Sequence, residues 1–127
     1  FDDTRTKMFL RATTGEVWIT EVGGAIRRTR AQATFPEGPK HAADVTRYVL
    51  DGLARLSPRI TRVFFYHWNA APGATTWDSG FIDASGKARP AYTVLRDWLK
   101  GKRDGSGLAK LRRKLAAAKR ARTSASG

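Results

Sequence analysis

The carboxylate of Glu21 closes the run Val17-Trp18-Ile19-Thr20-Glu21-Val22-Gly23-Gly24 and is the first chemical signal in the chain. Four residues of strand character lead straight into it, and two glycines after it allow a sharp exit. A carboxylate at the tip of a buried strand costs several kcal/mol in desolvation unless something offsets it. In barrels of alternating strands and helices, that tip is where catalytic groups are mounted. Glu16, the other acid of this strand, is five positions away, on the opposite face and roughly 16 Å distant at strand rise. The two cannot act as a pair of carboxyls about 5 Å apart, one attacking and one donating a proton. Glu16 reads as a solvated end residue; for Glu21 a structural carboxylate at the rim is the plain alternative to a catalytic one.

A second run, Arg62-Val63-Phe64-Phe65-Tyr66-His67-Trp68-Asn69, ends in aromatic and polar groups in the same way. Tyr66 and His67 alternate sides, so only one can face an interior, and either could hydrogen-bond a ligand or pack at the rim. Trp68 and Trp77 bracket the following loop. An indole face is flat, apolar and electron-rich, which suits the C–H face of a sugar ring as well as a protein core. Trp77 lies beside Asp78, Ser79 and Gly80, where a core role is hard to explain, so ligand contact and packing both stand open. Asp78 is the first candidate for a further acid within the chain. Trp18, inside a strand, and Trp98, on an apolar helix face, read as packing residues. Arg27, Arg28 and Arg30 could bind an acidic sugar or phosphate, but read first as a solvated charge run.

The elements that must position these groups follow from periodicity. Met8, Phe9 and Ala12 fall on one helical face over Thr4 to Ala12, closed by Thr14-Gly15. Because the chain starts at Phe1, this is expected to be the end of a longer helix. Val17 to Glu21 is a strand read as buried on both faces. After a loop over 22–40, a helix over about 41–57 carries the stripe Val45, Tyr48, Val49, Gly52, Leu53 and Leu56. Ile60 to His67 is the second strand, followed by a loop over Asn69 to Arg89. Pro90 then opens a helix burying Ala91, Val94, Leu95 and Trp98. This order predicts an α/β arrangement in which two parallel strands are covered by helices on one side. One face of the pair then has no partner in the chain, as in a slice of a closed barrel.

The 127 residues carry a formal charge of +13. From Lys100 onward there are ten Lys or Arg against one acid, a net +9, which leaves +4 for residues 1–99. The basicity belongs to the tail, and the boundary between 1–99 and 100–127 falls where Gly, Ser, Lys, Arg and Ala take over. Absence of cysteine excludes disulfides and thiolate metal sites. His41 and His67 are too far apart for a local metal motif. No apolar stretch approaches the roughly 20 residues of a membrane span, no Gly-rich phosphate loop or Ser-His-Asp order appears, and no signal peptide is visible.

Trp18-Ile19-Thr20-Glu21-Val22-Gly23 resembles the seventh-strand motif of clan A glycoside hydrolases, the retaining (β/α)8-barrel enzymes of cellulase-like and β-xylosidase-like families. Phe64-Phe65-Tyr66-His67-Trp68 resembles their eighth strand, whose tryptophan lines the sugar subsite and in several members precedes a cis peptide, here Trp68–Asn69. Trp77-Asp78-Ser79-Gly80-Phe81-Ile82-Asp83 and Gly86-Lys87-Ala88-Arg89-Pro90-Ala91-Tyr92 resemble the stretch leading into the last barrel helix. The resemblance covers about residues 15–99. It implies that 1–99 is the C-terminal part of a TIM barrel, that Glu21 is the nucleophile, and that Trp68, Trp77, Tyr66, His67 and Asp78 contact substrate. It also implies that no cofactor is needed. The family's acid/base, a glutamate after the fourth strand, has no counterpart here, so the chain alone is expected to be inactive. The implied partner is a poly- or oligosaccharide, and the parent protein is expected outside the cell or at its surface.

Two other classes fit parts of the chain. One is a non-catalytic carbohydrate-binding or cell-surface barrel that keeps the aromatic platform. The other is a polyanion binder acting through the tail, where Leu108, Leu111 and Leu115 fall on one helical face. Without a groove-reading motif or aromatic interleaving, such binding would be electrostatic and not specific for nucleic acid.

Overall fold

The computed structural model describes residues 3–28, 36–73 and 77–101, with Arg113, Ala117 and Arg120 as isolated, exposed helical positions. The leucine stripe of the tail and Arg30 lie outside the described residues.

Helix α1 (Thr4–Ala12) buries none of its residues, and Met8 and Phe9 are exposed. Its tether is the Arg59 guanidinium, which donates to the carbonyl oxygens of Leu10 and Gly15, both at 2.7 Å, and to Thr13 Oγ1 at 3.1 Å. Strand β1 (Val17–Val22) follows, then a two-residue strand β2 (Arg27–Arg28). Helix α2 (Pro39–Asp51) ends at Gly52, so the expected helix is shorter, and Leu53–Arg55 form a separate 3-10 turn. Glycine stops the α-helix because it is the interior residue with the greatest conformational cost. Strands β3 (Ile60–Phe65) and β4 (Trp77–Asp78) precede α3 (Pro90–Leu99), which starts at the expected proline.

Strands β1 and β3 pair in parallel through the α2 crossover, and β2 pairs with β4 antiparallel. The fold is thus a small α/β arrangement. The core joins Ala42 of α2, Ala91 of α3 and Phe81, with Ile26, Phe65, Tyr92 and Leu95 packed around them. Val17 and Ile60 are buried at the strand starts.

The strands are not buried on both faces as the sequence predicts. Trp18 is 50% exposed, Phe64 47% and Tyr66 44%. Continuous apolar runs fit a sheet covered on both sides, but the described residues supply cover for one side alone. On the open side Trp18 meets Phe64, with centroids 6.4 Å apart, and the Arg62 guanidinium, 4.8 Å from its ring, and its indole hydrogen-bonds Glu16. Trp18 is therefore not packed as expected, whereas Trp98 is half-buried.

Candidate active site

Register decides where Glu21 goes. Ile19 pairs with Val63 and Val22 with Phe65, so Thr20 and Glu21 together stand opposite Phe64 alone. This is a β-bulge, the device that re-aims side chains near strand ends. Under strict alternation Glu21 would share the face of Ile19, toward the helices. The extra residue turns it out, and both Thr20 and Glu21 are exposed. Glu21 thereby joins the open face of Trp18, Phe64 and Tyr66. No hydrogen bond or ion pair engages its carboxylate among the described residues. The bulge was not visible in the sequence, because a strand motif carries no mark of its neighbour's register.

The two strand tips are bound together. The Tyr66 N–H donates to Val22 O at 3.0 Å, and the loops beyond the tips cross as the β2–β4 ribbon. Gly23 lies so close to the second tip that a Cβ there would be driven into the Tyr66 carbonyl oxygen. At Gly24 a Cβ would come within 2.5 Å of Ala42 Cα, so this glycine lets the loop settle on α2. The glycines after Glu21 serve close approach, and neither has a positive φ.

Ser79 gathers the aromatic groups. It is 6% exposed. Its Oγ accepts the Trp77 indole N–H at 2.9 Å, donates to the Tyr66 carbonyl oxygen in a short hydrogen bond, and lies 3.4 Å from His67 Nδ1. Tyr66, His67 and Trp77 therefore meet at one node beside Gly23, two residues from Glu21. The node was missed in the sequence because serine in a polar loop carries no periodic signal.

Two expected members stand elsewhere. Trp68 turns its ring toward α3, with centroids 5.7 Å from Phe81 and 5.9 Å from Tyr92. It lines a groove of about 250 Å³ with Tyr92, Leu95 and Leu99. The cis peptide is Tyr66–His67 and not Trp68–Asn69. Asp78 is committed to Arg89 through two contacts of 2.7 Å, and it also accepts the Gly80 N–H at 3.0 Å. The Arg89 bonds, joined by that N–H, hold its carboxyl below the usual carboxylate range, which suits a clamp and not a proton donor. Arg89 also donates to Gly80 O, so the pair fastens the second loop to the start of α3.

At the opposite end of the strands, Thr61 donates a short hydrogen bond to Glu16. That bond, joined by one from the Trp18 indole, holds the Glu16 carboxyl below its usual range and marks it as an end fastener. Arg28 pairs with Glu37 at 3.4 Å. Among the described residues no cluster of His, Asp or Glu could hold a metal ion, and no helix is long and apolar enough to cross a membrane. No protein-family model, curated protein or solved structure matches the chain.

Proposed function

We propose that this chain is the nucleophile-bearing segment of a retaining O-glycoside hydrolase built as a (β/α)8 barrel, acting on a poly- or oligosaccharide. The observation that carries the reading is the bulge turning Glu21 onto an open aromatic face at the carboxyl end of a parallel strand pair. Active sites of such barrels form at that end, and inward side chains there come from the face opposite the helices. The sequence resemblance supports the same assignment.

In this reading Glu21 attacks the anomeric carbon and expels the aglycone, forming a glycosyl-enzyme that water then hydrolyses. A second carboxyl, supplied by another strand, protonates the leaving oxygen and later deprotonates the water. Tyr66 and Trp77 offer aromatic faces to the sugar, and His67 a hydrogen-bonding edge. Trp68 backs the rim from the α3 side, and Asp78 holds the loop through Arg89. The basic tail supplies attraction to anionic cell-surface polymers and fits a secreted or surface-bound parent.

The test is made in the full reading frame. Glu21→Gln should lower turnover of 4-nitrophenyl glycosides on the order of 10⁴-fold or more. In Glu21→Ala, added azide should enter the vacated space and give a glycosyl azide of inverted anomeric configuration. Unchanged turnover in Glu21→Gln would rule out the assignment.

A further inference from the structure

We infer that Ser79 is a positioning residue that fixes the protonation pattern of His67, leaving His67 Nε2 as a bare acceptor for a hydroxyl group of the ligand. The inference follows from donor and acceptor accounting at one buried atom. A serine hydroxyl has one proton and two lone pairs. Its proton is committed to the Tyr66 carbonyl oxygen, which has none to give. One lone pair is taken by the Trp77 indole N–H, which can only donate.

What remains is a single lone pair, 3.4 Å from His67 Nδ1. An unprotonated Nδ1 would set lone pair against lone pair inside a node where Ser79 is only 6% exposed. A protonated Nδ1 donates and completes the set. The neutral ring then carries its proton on Nδ1, the reverse of the form a free histidine side chain favours. Nε2 has no partner among the described residues. The imidazole lies against the ring of Tyr66, which is exposed on the same side as Glu21.

The same accounting restricts Trp77. Its N–H is used, so Trp77 meets a ligand with its ring face and not as a donor. A ligand matched to this rim presents an apolar ring face beside a donating hydroxyl, as a pyranose does. That choice of ligand rests on the glycosidase reading; the state of His67 does not.

The experiment uses the full-reading-frame protein with ¹⁵N-labelled histidine at pH 8, the His67 signals being identified by their loss in His67→Gln. Wild type should show a protonated-type Nδ1 and an unprotonated-type Nε2. Ser79→Ala should shift His67 toward the Nε2–H form, and Ser79→Thr, which keeps the hydroxyl, should restore the wild-type pattern. With 4-nitrophenyl glycosides, Ser79→Ala should raise KM about tenfold with a smaller change in kcat, and Ser79→Thr should reverse the rise. A dominant Nε2–H form in wild type, or a pattern unmoved by Ser79→Ala, would overturn the positioning role. An unchanged KM would overturn the acceptor role. Absence of any glycosidase turnover would remove the sugar assignment, and the nitrogen shifts would still decide the role of Ser79.

Discussion

At the scale of single residues, close backbone approach and a buried ion pair hold the loops at the strand tips. Gly23 is the sharpest case, since any Cβ meets the Tyr66 carbonyl oxygen. Gly23→Ala must push the two tips apart, an overpacking cost of about 1–3 kcal/mol. The expected outcome is a lowered melting temperature and, if the proposed glycosidase reading holds, a loss of turnover in the full reading frame larger than the stability change explains. Asp78 and Arg89 make the second case. Their side chains are 9% and 13% exposed, so Asp78→Asn should cost about 2–3 kcal/mol at neutral pH, measured by denaturant unfolding. The native carboxyl titrates below its ordinary range. The unfolded chain therefore takes up the proton first, near pH 4. The clamp's contribution is full above that value and fades as pH falls through the lower native one. The stability gap between wild type and Asp78→Asn should accordingly narrow on acidification, and a gap constant from pH 7 to pH 3 would contradict the pairing.

At the scale of elements, helices were the most legible part. The stretch Thr4–Ala12 and the start of α3 at Pro90 follow from apolar spacing and a proline signal, because a helix satisfies its own backbone and writes its period into the sequence. The parallel order of β1 and β3 was equally legible from the intervening helix. What could not be read was what one element does to another. The bulge at Thr20-Glu21, the β2–β4 ribbon and the ring direction of Trp68 all depend on the neighbouring strand or loop. Glu21 was singled out as a candidate by its place near a strand tip, whereas Ser79, Arg59 and Arg89 act through hydrogen bonds between separate segments that no periodic pattern announces. Arg59 lends itself to a direct check. It holds the α1–β1 junction by three bonds, while α1 buries nothing. Arg59→Met should raise amide hydrogen exchange across 4–15 and leave protection in α2 near its wild-type level.

At the scale of the whole molecule, the covered and open faces of the strand pair differ in kind. The covered face closes on Ala42, Phe81 and Ala91, and the open one presents Trp18, Phe64 and Tyr66. Exposed apolar patches and unpaired strand edges promote association. The 127-residue polypeptide made alone should therefore sediment with a concentration-dependent mass, bind hydrophobic dyes and show no glycosidase activity above background. A monodisperse monomer with a single sharp melting transition would contradict this picture. The β2–β4 ribbon has a consequence for how such a rim could change over time or by engineering. Because Arg27 and Arg28 pair with Asp78 and Trp77, and Ile26 donates to Asp78 O, each loop is the other's template. The two behave structurally as a single cassette. A graft that replaces the first loop alone strands the second without its mate, whereas a graft carrying both can bring a new rim to the same pair of strands.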